Sequence, residues 1–234
     1  MQHQVMGYDR SATMFSPDGH ILQVEYAEKT VKLGTASIGI SCSDGVVIIS
    51  DKGAKDSLIV SESADKVHEI DGHIMASAAG ILSDARLLIS HIRVVAQQHR
   101  MTYDSPVDVE SIIREVADIK QQYTQSPGIR PFGVSLLIAG LSGDVPKVYT
   151  SEITGNYFEY YAIAIGQNED KIKEILRKEY KKEIKVDEAI KLGLNIFRKV
   201  LGNSYDINRF NVGVIKIDNK KLKKLNGEEI KRFG

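Results

Sequence analysis

The apolar positions change period several times along the chain, and each change marks an element. Over residues 35–42 small and apolar residues alternate, so Ala36, Ile38, Ile40 and Cys42 share one face of a strand. Ser43-Asp44-Gly45 supplies turn chemistry, because Asp tolerates the left-handed region and Gly has no Cβ to clash. Val46-Val47-Ile48-Ile49 is an unbroken β-branched run, as expected of a strand covered on both faces. The two runs predict a β-hairpin. A second pair follows at 67–70 and 73–79, joined by Asp71-Gly72.

Helical spacing then takes over. Ile81, Leu82, Ala85, Leu88, Ile89, Ile92, Val95 and Ala96 recur at three and four residues and form one stripe. A second stripe holds Val109, Ile112, Ile113, Val116 and Ile119, and Pro106 marks its start. After Ser126-Pro127-Gly128, strands return at 134–139, 147–150 and 160–165. Helices fit 169–180 and 187–201, and strands fit 211–217 and 222–225. Strands clustered in hairpins favour antiparallel sheets. Helix pairs inserted between them favour two central sheets with helices outside. No linker, low-complexity block or short repeat interrupts the 234 residues, so one domain over 1–234 is expected.

Composition narrows the function. Lys plus Arg and Asp plus Glu both count 31, and this balance opposes a dedicated nucleic-acid binder, which needs surplus cations. The longest apolar runs have strand length, so no membrane span is expected. The single cysteine rules out an internal disulfide and a cysteine-rich zinc site. The first six residues have no basic and no apolar region of a signal peptide, which points to the cytoplasm.

The first 35 residues are the most informative. Tyr8-Asp9-Arg10 is followed by Phe15-Ser16-Pro17-Asp18-Gly19 and by Gln23-Val24-Glu25-Tyr26-Ala27. Pro17-Asp18-Gly19 is a turn, and a helix over 20–33 carries Ile21, Val24, Ala27 and Val31 before Gly34 ends it. This ordered signature resembles the proteasome α-subunits of archaeal type. Asp84-Ala85-Arg86, Ala96-Gln97-Gln98, Gln122-Tyr123-Thr124-Gln125 and Arg130-Pro131-Phe132-Gly133 also match, so the likeness spans the whole chain. The resemblance implies an α+β fold, the four-layer αββα sandwich of N-terminal-nucleophile hydrolases. It also implies a heptameric α-ring stacked on rings of β-subunits.

That fold hosts threonine proteases, which need a Thr with a free α-amine as base. Gly34-Thr35 occupies the junction where catalytic relatives cleave themselves, and Asp51 and Lys66 fall where the family keeps its catalytic Asp and Lys. Three departures oppose catalysis. The segment 1–34 leaves Thr35 with an ordinary amide. Gln167 follows Gly166 where catalytic subunits have serine. Asn203 and Asp206 stand near the positions of two further helpers. A non-catalytic subunit is therefore expected, with a self-processing Thr35 peptidase and a ring-free interaction module of the same fold as alternatives.

The resemblance implies two α-type roles. Residues 1–12 would be a mobile gate at the ring axis, held open by Tyr8, Asp9, Pro17 and Tyr26 from adjoining subunits, with Arg10 pairing a neighbouring carboxylate. Lys66 would receive the C-terminal carboxylate of a regulatory AAA ATPase tail, and Gly34 would let that tail come close. The 20–33 helix would contact the neighbouring subunit. Unfolded polypeptide would pass through to the β-subunits. No cofactor is implied. His3, His20, His68, His73, His91 and His99 lack the helical pairing of a zinc site, so no metal is expected. The run 220–224 reads as an edge strand blunted by lysines.

Overall fold

The computed structural model describes residues 7–53 and 58–233. Along the chain run α1 (Leu22–Leu33), β1 (Ser37–Cys42), β2 (Gly45–Asp51), β3 (His68–Asp71), β4 (Ile74–Gly80), α2 (Leu82–Tyr103) and α3 (Val109–Gln125). They are followed by β5 (Val134–Ser142), β6 (Val145–Ser151), β7 (Tyr157–Glu159), β8 (Ala162–Ile165), α4 (Glu169–Glu179), α5 (Val186–Leu201), β9 (Phe210–Lys216), β10 (Leu222–Leu225) and α6 (Gly227–Lys231). Two five-stranded sheets result, in the orders β10-β9-β2-β1-β8 and β3-β4-β5-β6-β7. Their pairings are antiparallel.

Alternation along the strands divides the apolar residues among three cores. In β2, Val46 and Ile48 face the second sheet, whereas Val47 and Ile49 face the α4–α5 pair. In β5, Leu137 and Ala139 fill the space between the sheets, whereas Leu136 and Ile138 meet α2 and α3. Helix pair, sheet, sheet and helix pair therefore stack as the expected four layers. Both faces of β2 are covered, which is why its sequence is a continuous run rather than an alternation.

Some boundaries differ from the sequence reading. The first helix begins at Leu22 rather than residue 20, because Ile21 is extended and serves as its N-cap. Leu82 leaves its stripe and is 64% exposed, since it stands in the first turn beyond the sheet. The run 160–165 is not one strand. β7 pairs with β6 in one sheet and β8 pairs with β1 in the other, so the chain crosses between sheets at Tyr160-Tyr161. The short α6 adds a helix that the hydrophobic period does not predict, although Asn226 and Glu229 form its capping box. β10 is a sheet edge as expected, and Lys223 and Lys224 on it pair with Glu229 and Asp65.

A lysine sits where the α3 stripe predicts an apolar residue. Lys120 is fully buried, and its ammonium donates to Val134 O and Ser151 Oγ, both at 2.8 Å, and to the carbonyls of Ser151 and Glu152 at 3.3 Å. It pins α3 across the ends of β5 and β6. Burial pushes its pKa down to about 7, against the attraction of Glu152. The sign follows by linkage: between about 7 and the unfolded value the unfolded chain binds the extra proton, so stability rises with pH. We expect the native chain to gain about 1 kcal/mol per pH unit over Lys120→Met between pH 7.5 and 9.5. Denaturant titration at both pH values measures this difference, and parallel pH profiles would refute it.

Candidate functional site

Four strand ends meet at one end of the sandwich. Thr35 precedes β1, Asp51 closes β2, Lys66 precedes β3 and Arg209 precedes β9. The backbone ties them together: Asp51 N donates to Ala36 O at 2.9 Å and Lys52 N to Arg209 O at 2.9 Å. Lys66 N donates to Asn211 Oδ1 at 3.0 Å. Thirty-one positions separate Thr35 from Lys66, yet the ammonium of Lys66 donates to both Thr35 O and Thr35 Oγ1 at 2.7 Å. Lys66 is only 7% exposed, so it is not a solvated strand-end lysine.

Asp51 is engaged elsewhere. Arg209 Nε donates to its Oδ1 at 2.6 Å and Nη2 to its Oδ2 at 2.7 Å, and Gly53 N adds a third bond at 2.8 Å. A fork-to-fork pair of this kind holds both oxygens. Asp51 acts on Lys66 only through its field. Burial lowers the Lys66 pKa to about 8, and the charge of Asp51 partly opposes it.

Gly34 stands beside this cluster, but the close approach it permits is made by the chain itself. A Cβ on Gly34 would lie 2.3 Å from the Gly80 amide nitrogen. Gly34 O accepts from Gln167 N at 2.7 Å, so the Gly166-Gln167 turn wraps the Gly34-Thr35 junction. Asp206, expected near the catalytic helpers, instead caps the turn Ile207–Arg209 through Asn208 N.

Lys66 is also one of the residues lining a cleft of about 320 Å³ between α2 and the segment before β3. Its walls include His68, Arg86 and Arg93, and its floor includes Ala85 and Ile89. Burial holds the His68 imidazole below its usual pKa, and Arg93 and Lys224 add to this. With Lys66, Arg86 and Arg93 set against Asp65 alone, the lining has a surplus of cations beside its apolar residues. Nothing in the local sequence pattern marks Arg93, Arg209 or Asn211. Arg86 belongs to a quoted motif, and its neighbour Asp84 is explained: Arg130 grips it with two bonds of 2.7 Å, and Gly133 N adds one of 2.9 Å. Burial disfavours the charge on Asp84, but Arg130 and Gly133 outweigh it and hold the carboxyl below its usual value. Two separated motifs therefore form one clamp on the first turn of α2.

The gate residues stand apart from this cluster. Residues 1–6 and the Asp9 side chain lie outside the described residues. Tyr8 and Arg10 belong to the turn Tyr8–Arg10, which packs against α1, the helix that carries Tyr26. Pro17 is exposed on a turn closed by Gly19 N to Ser16 O at 2.9 Å. The α1 stripe is used internally: Val24, Ala27 and Val31 join the core between the sheets. Among the described residues no three His, Cys, Asp or Glu side chains converge on a metal position. Among them, too, no helix is long and apolar enough to cross a membrane.

Comparison with known proteins covers nearly all of this framework. Residues 31–215 match the family of proteasome subunits, and residues 8–29 match the N-terminal signature of its A-type subunits. The chain is 42% identical to the proteasome alpha subunit of Archaeoglobus fulgidus, over 97% of this chain and 92% of the relative. It is 41% identical to that of Pyrococcus abyssi, over 97% and 86%. With that of Saccharolobus islandicus it shares 47% identity over 84% and 81%.

Proposed function

The chain belongs to the proteasome subunit family as an α-type, non-catalytic member of the 20S core, and from that premise we propose that it forms a gated heptameric outer ring. The ring admits unfolded polypeptide to a chamber in which partner β-subunits cut peptide bonds. It docks the C-terminal tails of a regulatory AAA ATPase and works in the cytoplasm. Thr35 does not act as a nucleophile. Its amide is part of the continuous chain, its hydroxyl is held by Lys66, and Asp51 is taken by Arg209.

The observation that carries the docking role is Lys66 itself: it is buried, its ammonium is held by Thr35, and the residue lines a cleft together with Arg86 and Arg93. An ammonium is a compact charge suited to a terminal carboxylate. Gating is assigned to residues 1–12 with Tyr8, Asp9, Arg10, Pro17 and Tyr26, which precede or lie on α1. The Tyr8–Arg10 turn against that helix supports this reading.

Native mass spectrometry tests the assembly. A closed ring at seven times the 26.0 kDa subunit mass, ejecting intact subunits, is the expected result. A monomer that stays monomeric with β-subunits present would favour the ring-free module. A subunit shortened by its first 34 residues would refute the non-catalytic assignment of Thr35.

A further inference from the structure

We infer that Thr35 is a positioning residue for the docking lysine: by accepting two of the three ammonium hydrogens of Lys66, it leaves the third for an incoming carboxylate. The inference rests on the docking role proposed above.

The geometry singles out Thr35. Its carbonyl and hydroxyl oxygens both lie 2.7 Å from Lys66 Nζ, so one residue fixes the rotation of the ammonium about its own bond. Among the described residues, the charged groups around Lys66 do not compete for this task. Asp51 is bound through both oxygens by Arg209. Asp65 accepts from Asn211 Nδ2 at 3.0 Å and pairs with Lys224 at 3.2 Å. His68 on β3 and Arg86 and Arg93 on α2 line the same cleft, and the two guanidiniums can only donate. Arg93 Nε is already spent on Glu69 O at 2.7 Å.

Thr35 is itself firmly held. The preceding Gly34 is wedged against the Gly80 backbone, and the following Ala36 accepts from Asp51 N. The Thr35 methyl stands beside Gly53. An acceptor pair fixed before the ligand arrives spares the lysine the loss of rotamer freedom that docking would otherwise demand. The Thr35 hydroxyl also stabilises the charged form of Lys66, because it accepts from the ammonium and offers less to a neutral amine.

The test compares Thr35→Ser with Thr35→Ala in the assembled full-length chain. Both lose the methyl and differ only in the hydroxyl. Thr35→Val, which keeps the shape, is the second probe, and Lys66→Ala is the reference. The ligand is a fluorescent seven-residue peptide ending in a hydrophobic residue, Tyr and Ala with a free carboxylate. Binding is measured by anisotropy from pH 6.5 to 9.5. Thr35→Ala and Thr35→Val should weaken binding about three- to tenfold at pH 7, the size of one ordinary hydrogen bond, since the Thr35 carbonyl still holds the ammonium. Their pH midpoint should move down by about half a unit or more. Thr35→Ser should restore both affinity and midpoint.

If Lys66→Ala abolishes binding while Thr35→Ala and Thr35→Ser bind alike with an unmoved midpoint, the role of Thr35 is overturned and docking stands. Unchanged binding by Lys66→Ala overturns the docking reading itself, and the inference with it.

Discussion

A particle built from the chain lacking residues 2–12 should hydrolyse short peptides at least about tenfold faster than the native particle when no activator is present. The factor follows if the open gate is a minor state populated to about 10% or less, since removing the barrier makes the open state the only one. The fold should tolerate the cut. The first helix keeps its anchors Val24, Ala27 and Val31 in the core between the sheets. The turn at Ser16 survives, with Ser16 N bonded to His20 O at 2.8 Å. The deletion removes the Tyr8–Arg10 turn, which rests on α1 from outside the sheets. Thermal unfolding should therefore shift little while peptide turnover rises. A rate equal to the native one would show that this segment is not the gate. A large fall in the melting temperature would show that it is part of the fold instead.

Lys66→Ala should abolish activator-stimulated degradation of protein substrates and leave unstimulated peptide cleavage intact. Removing one partner of a buried, hydrogen-bonded charge pair costs about 2–5 kcal/mol, so tail affinity should fall about 30-fold or more. Lys66→Arg should not rescue it, because a planar, longer guanidinium does not place its charge where Thr35 holds the compact ammonium.

The native chain should also show a pH dependence. Burial lowers the Lys66 pKa to about 8, whereas a terminal carboxylate titrates near about 3.5. Between these values both partners are charged and docking is strong. As pH rises through about 8 the ammonium is lost and docking weakens. Activator stimulation measured from pH 7 to 9 against unstimulated peptide cleavage tests this. Stimulation that persists unchanged in Lys66→Ala would remove Lys66 from the docking site.

Much of the fold was legible in the order of residues. The β-branched run 46–49 reads as a doubly covered strand because only apolar side chains fit both faces, and β2 is buried throughout. The turns at Ser43-Asp44-Gly45 and Asp71-Gly72 were readable because turn chemistry is local. The crossing at Tyr160-Tyr161 was not. The strand period is the same in both sheets, so alternation carries no information about which sheet a residue joins. Lys120 was invisible for a related reason. Nothing in a helical stripe announces that four oxygen acceptors from two strand ends will surround the next position.

The candidate site divides along the same line. Thr35, Asp51 and Lys66 could be named from their places in a recognisable pattern, and so could the residues around the N-terminal signature. Their relations could not. Lys66 reaches Thr35 across 31 positions, but Asp51 is captured by Arg209 from 158 positions away, and that capture separates it from the lysine it would otherwise orient. The Asp84 and Arg130 motifs were both in view, yet only the fold makes them one clamp. By itself the sequence determined most of the element types, the layering and the family, because hydrophobic period, turn chemistry and ordered motifs are properties of neighbours along the chain. Tertiary structure alone decided which charges pair, how deeply Lys66 and Lys120 are buried and where the cationic cleft opens. Those depend on distances between residues that meet only when the two sheets close on each other.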